Sequence, residues 1–166
     1  MSDFVHLHNH SHYSLLDAAC TPEQIIAAAK EDNQAAIALT DHGVMFGCYE
    51  FYKKAKKAGI KPIIGCEVYL ATSTRFDKIA TKKSADQRNY NHLVLLAKND
   101  IGYQNLMKLV SLGHTEGFYY KPRIDRDLLV QYKDGLIALS ACLAGVVNEP
   151  LMRGDYQTAY NNAKWF

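Results

Sequence analysis

At 166 residues the chain fits one domain able to bury a sizeable core, and its 48% apolar share is ordinary for a soluble globular protein. A net charge of +2 is too mild to argue for a nucleic-acid partner, nor does it exclude one. No stretch approaches the roughly 18 apolar residues of a membrane helix, and the polar N-terminus does not read as a signal peptide. Cys20, Cys48, Cys66 and Cys142 form no C-x-x-C pair, which suits free thiols, buried or metal-bound, in a reducing cytoplasm.

His6, His8, His10 and His12 occupy alternate positions near the start. An extended strand would line these imidazoles along one face and turn Val5 and Leu7 toward a core. At ~3.3 Å per residue, neighbouring histidines sit ~6.6 Å apart, so two adjacent rings can converge on one ion and four in line cannot. A hydrated edge strand is the bland alternative. An expression tag fits poorly, because Val, Leu and Asn interleave the run.

Thr21-Pro22-Glu23-Gln24 opens a helix, Gln24–Glu31, with a Thr cap and Gln three residues on. Ala35–Thr40 reads as a buried strand and Phe46–Ala58 as a helix ending at Gly59; Lys53, Lys54, Lys56 and Lys57 form its solvated end, with a DNA patch the lesser reading. A strand Ile63–Leu70, a polar loop Thr72–Asn91 and a strand Leu93–Ala97 follow. Then come a helix Gly102–Leu112, an aromatic loop 117–123, a helix Asp125–Tyr132, an inner strand Leu136–Leu139 and a helical stretch Tyr156–Phe166. That last stretch stops without a capping signal, as if cut mid-domain. The β-α-β-α succession predicts a mainly parallel sheet, open or closed into a barrel.

In parallel α/β folds functional side chains gather where strands end. Thr40 runs into Asp41-His42-Gly43, Cys66 into Glu67, and Ser140 into Ala141-Cys142, while Asp17 follows the histidines. Each signal alone is a turn or a core residue. Together they put His, Asp, Glu and Cys on one rim, a mixed set that suits Zn or Mn/Fe better than Mg or Ca. Glu67, amid Ile, Gly, Val and Leu, needs a partner to offset burial. His92 precedes its apolar run, so the strand-end rule places it on the wrong rim. His12 and His114 read as surface residues.

Leu7-His8-Asn9-His10-Ser11, Thr40-Asp41-His42-Gly43, Gly65-Cys66-Glu67, Asn91-His92-Leu93 and Ser140-Ala141-Cys142 together resemble the polymerase and histidinol phosphatase (PHP) domain. Tyr13-Ser14-Leu15-Leu16-Asp17, Phe51-Tyr52-Lys53-Lys54-Ala55, Ile60–Gly65 and Glu116–Asp125 are similar, more narrowly, to the N-terminal region of bacterial replicative DNA polymerase III alpha subunits. The resemblance implies a distorted (β/α)7 barrel, here residues 1–166 without its last strand-helix units or the polymerase core. It implies a site for up to three divalent ions held by His8, His10, Asp17, His42, Glu67, His92 and Cys142. It thereby selects the middle histidine pair and overrules the exclusion of His92.

The family's closing Asp-x-His motif does not occur after Cys142. The activity implied is metal-dependent phosphoesterase or 3′–5′ exonuclease chemistry inside a DNA polymerase. Glu67, which would bridge two ions, and His42 are the catalytic candidates, and Asp41 would orient a histidine from behind. Arg75 and Arg123 are candidates for holding substrate phosphate. DNA and other replicative-polymerase subunits are the implied partners, in the cytoplasm. Two other readings compete: a metal-stabilised structural platform for the polymerase and its proofreading subunit, and a free-standing small-molecule phosphatase.

Overall fold

A computed structural model describes residues 4–78 and 89–166. Its helices are α1 (Pro22–Glu31), α2 (Cys48–Ala58), α3 (Asp100–Thr115), α4 (Arg126–Tyr132), α5 (Asn148–Met152) and α6 (Tyr156–Trp165). Its strands are β1 (Ala36–Leu39), β2 (Lys61–Ala71), β3 (Tyr90–Ala97), β4 (Phe118–Tyr119), β5 (Lys121–Ile124) and β6 (Leu136–Leu139). Local chemistry sets the boundaries. Thr21 and Gln24 close a reciprocal capping box on α1, Gly59 ends α2 at φ 78°, and Asn99 and Asp125 cap α3 and α4. Of the expected polar loop, residues 79–88 lie outside the described residues, and Tyr90 and Asn91 belong to β3.

β2 is the spine of the sheet. β1 pairs with its first half in parallel, from Ala36↔Lys61 to Leu39↔Ile64, and β5 continues along the same direction at Tyr69↔Arg123. On its other edge β3 runs antiparallel, from Gly65↔Leu96 to Ala71↔Tyr90, and β6 is antiparallel to β3. The sheet is therefore mixed, not mainly parallel. The polar sequence between β2 and β3 predicts no helix, and antiparallel neighbours, unlike parallel ones, need none. Among the described residues the sheet is also open rather than closed into a barrel. β6, expected as an inner strand, lies at the end of the strand order and leaves Ile137 45% exposed.

The histidine segment is not a strand. It lies beside β1, where Ala38 N–H donates to His6 O and Thr40 N–H to Asn9 O. Side chains take over the remaining pairing: Thr40 Oγ1 accepts from Asn9 N–H, and Asn9 Nδ2 donates to Ala38 O. Leu7 is consequently 36% exposed instead of facing a core.

One face of the sheet packs Cys66, Val68, Leu93 and Leu95 against Leu106 and Leu109 of α3 and Leu128 of α4. A second core joins Ile37 and Leu39 to α1 and α2 through Ile26 and Phe51. The opposite face carries Gly65, Glu67 and Tyr69 on β2 alongside His92, Val94 and Leu96 on β3. A Cβ at Gly65 would lie 2.6 Å from Leu95 O and 2.8 Å from Thr40 Cγ2, so only glycine allows that close approach.

Candidate metal centre

The carboxyl ends of β1, β2 and β6 and the amino end of β3 share one rim, because β3 runs against β2. That reversal brings His92 to the rim from which the strand-end rule removed it. Glu67 stands at the centre, 1% exposed. Its Oε2 is 2.8 Å from His8 Nε2, 3.0 Å from His10 Nε2 and 3.3 Å from His42 Nδ1, and its Oε1 is 2.7 Å from His92 Nδ1. His42 Nε2 faces Asp17 Oδ2 at 3.2 Å.

These contacts set the protonation states. Burial would raise the Glu67 carboxyl, but hydrogen bonds from His10, His8 and His92 and the charge of His42 overcome it and hold it well below the carboxylate range. His10 is lowered by desolvation, yet its hydrogen bond to Glu67 and the nearby carboxylates carry it above its ordinary 6.5. His42 goes the other way: desolvation, helped by His10 and His92, outweighs Glu67 and favours the neutral ring with its lone pair.

The segment from Ser11 to Ser14 and the Asp41–Gly43 turn hold one another. Buried Asp41 accepts from Ser11 N–H at 2.6 Å, Ser11 Oγ at 2.8 Å and Ser14 Oγ at 2.7 Å, and Ser14 Oγ in turn accepts from His42 N–H. Asp41 thus fixes backbone and hydroxyls rather than an imidazole, which corrects its expected role. Glu67 N–H donates to Asp41 O and Gly43 N–H to Glu67 O, extending the β1–β2 pairing to the turn. Gly43 has φ +65°, and a Cβ there would meet Pro122 Cγ at 2.8 Å. His114, read as a surface residue, reaches from α3 to contact Gly43 O through Nε2 at 2.9 Å. Nothing in its local sequence signals that contact, because it crosses 71 positions of chain.

Arg75 and Arg123 do not face the cluster as phosphate ligands. Arg123 is 1% exposed and donates to the carbonyls of Gly117, Arg75 and Asp77. Arg75 is committed to Asp125 and Glu116. Both arginines tie the segment after β2 to β5 and α4. Cys48 and Cys66 are buried, and burial pushes the Cys48 thiol up to about 12.

Three overlapping donor sets have the composition of divalent-metal sites: His8, His10 and Glu67; His10, Asp17 and His42; His42, Glu67 and His92. Two donors each ~2.1 Å from one ion lie at most ~4.2 Å apart, and the pairs measured above meet that limit. The residues also fit by a second criterion. His10 Nδ1 and His42 Nδ1 are buried without a hydrogen-bond partner, since Glu67 lies near His42 Nδ1 but off the hydrogen-bonding direction. Cys142 stands outside these sets, exposed, with Sγ 3.6 Å from His92 Nδ1.

The family model of the PHP domain matches residues 6–166, and the chain belongs to that family. Over 166 residues it is 51% identical to the DNA polymerase III subunit alpha of Borreliella burgdorferi, a match covering 99% of this chain and 14% of that protein. It is 55% identical over 152 residues to the DNA polymerase III subunit alpha of Chlamydia trachomatis, covering 92% of this chain and 12% of that one. Among solved structures, an amidohydrolase from Chromobacterium violaceum superposes with a TM-score of 0.44 at 26% identity, over 66% of this chain and 32% of that one. The chain therefore spans about one-seventh of the length of the polymerase subunits it matches.

Proposed function

We propose that the cluster around Glu67 is a divalent-metal phosphoesterase centre, acting as a 3′–5′ exonuclease within a replicative DNA polymerase. Residues 1–166 would form the N-terminal part of its PHP domain, with later segments completing a barrel. The observation that carries this reading is the convergence of four imidazoles on one buried carboxylate, two of them retaining an unpartnered buried nitrogen. His8, His10, Asp17, His42, Glu67 and His92 would hold the ions, with Cys142 adding a thiolate beside His92. Zn, Mn or Fe suits these donors. When bound, such ions supply charge for phosphate oxygens and Lewis acidity toward water.

The chain's own residues prepare the site. Glu67 stays deprotonated across the neutral range, and His42 presents a neutral ring between two carboxylates. Asp41, Ser11 and Ser14 lock the spacing between the histidine segment and the turn after β1. DNA and the other subunits of the polymerase are the expected partners, in the cytoplasm. Among the described residues no helix is long and apolar enough to cross a membrane.

A second reading has its own support. The cluster ties the histidine segment, the turn after β1, β2 and β3 together, which is what a structural metal does in a fold. In that case the ions stabilise a platform for the polymerase and its proofreading subunit. Metal analysis of the full-length protein, with hydrolysis of a 3′-labelled oligonucleotide by it and by Glu67→Gln, separates the readings. Bound metal and Glu67-dependent hydrolysis support the exonuclease. Bound metal without hydrolysis leaves the platform, and no bound metal removes both.

A further inference from the structure

Beside the cluster the sheet carries an aromatic wall that none of these roles uses. Tyr69 follows Glu67 by two residues on the same face of β2, and Tyr90, opposite Ala71, opens β3 on that face. The Tyr69 ring lies parallel to His42 at 6.0 Å between centroids and meets Tyr90 edge-on at 5.1 Å and His92 edge-on at 5.4 Å. Tyr90 in turn stacks on His92 at 6.0 Å, with 10° between planes. Lys121, exposed, places Nζ 5.3 Å from the centre of the Tyr69 ring. The absence of a side chain at Gly43 makes room for this wall, since a Cβ there would come within 2.9 Å of Tyr69 Cε2. Tyr69 is buried and Tyr90 half-buried, so Tyr90 offers the accessible ring and Tyr69 backs it.

We infer that Tyr90, backed by Tyr69 and flanked by Lys121, is a nucleoside subsite that stacks the base of a nucleotide whose phosphate sits at the Glu67–histidine cluster. The inference rests on the phosphoesterase reading and deepens it, because it names the side chain that would hold the base next to the phosphate. The Tyr90 ring stacks on His92, whose Nδ1 lies 2.7 Å from Glu67 Oε1, so base and phosphate of a single nucleotide would occupy neighbouring places. Every base presents a π-face, so stacking on tyrosine gives affinity without sequence preference, as a terminal-nucleotide site requires. Lys121, with Nζ 5.3 Å from the Tyr69 ring centre, adds a positive charge to this wall, which favours a phosphate-bearing ligand.

The test is calorimetric titration of the full-length protein, loaded with Mn(II), with inorganic phosphate and with thymidine 5′-monophosphate. The wild type should bind the nucleotide at least about tenfold more tightly than phosphate, within the range of base–aromatic stacking. Tyr90→Ala should erase that preference while leaving phosphate affinity unchanged, and Tyr90→Phe should restore it. If circular dichroism shows Tyr90→Ala unfolded, Tyr90→Leu, which keeps bulk without a π-face, takes its place. Equal affinities in the wild type, or a variant that weakens both ligands alike, would overturn the subsite and leave the metal centre standing. Absence of phosphate binding with Mn(II) bound would remove the phosphoesterase reading and the subsite with it.

Discussion

Glu67 remains ionised at 1% exposure because imidazoles at 2.7–3.3 Å replace the water it has lost. A carboxylate held below its unfolded pKa contributes stability that is complete above about 4.5 and declines as pH falls toward its native value. Acid titration of the metal-free chain by circular dichroism should therefore show stability falling below pH 4.5, and Glu67→Gln should flatten that part of the profile. An unchanged profile would mean that other carboxylates dominate. Asp41 matters for a different reason, since it satisfies three buried donors at once. With ~1–3 kcal/mol for each buried group left unpaired and some relief from rearrangement, Asp41→Ala should destabilise the fold by about 2–4 kcal/mol in urea denaturation. A loss under ~1 kcal/mol would show that water replaces the carboxylate without strain.

At the scale of elements, β2 decides the geometry, since it pairs with β1, β3 and β5 and carries Glu67 between Gly65 and Tyr69 on one face. Gly65 lets β2 approach Leu95 O and Thr40 more closely than any side chain would permit. Gly65→Ala should cost about 1–3 kcal/mol from overpacking, read as a lower urea midpoint with an unchanged slope. It should also weaken metal retention, because the strand cannot move without moving Glu67. Wild-type stability in this variant would show that β3 yields at that point. β3 itself shows how direction matters more than composition. Its apolar run is plain in the sequence, and only its reversed course carries His92 to the same rim as Glu67.

In the whole molecule the cluster joins segments from His8 to His92, between which the chain forms α1, β1, α2 and β2. Ions bound there favour the native state by mass action, so adding Zn(II) or Mn(II) should raise the thermal midpoint, and a chelator should reverse the shift. Hydrogen exchange should slow at residues 8–17 and 41–43 on metal addition, while α6 stays unaffected; uniform slowing would point instead to non-specific ion binding.

Local residue patterns are enough for the boundaries of α1 and the end of α2, the apolar runs of β1, β2 and β3 and the ligand-type residues near strand ends. These depend on periodicity, capping and composition over a few residues, and the capping box at Thr21 and the stop at Gly59 appear where that chemistry puts them. By contrast, α5 is not foreseen, and the expected aromatic loop 117–123 contains β4 and most of β5. Long-range packing sets the antiparallel course of β3, the commitment of Asp41 to Ser11 and Ser14, the reach of His114 to Gly43 and the burial of Arg123. Each of these is a choice of strand direction or of partners that, the Gly117 contact of Arg123 apart, lie 27 or more positions away. Such choices follow from how the whole chain packs, and no local pattern of residues encodes them.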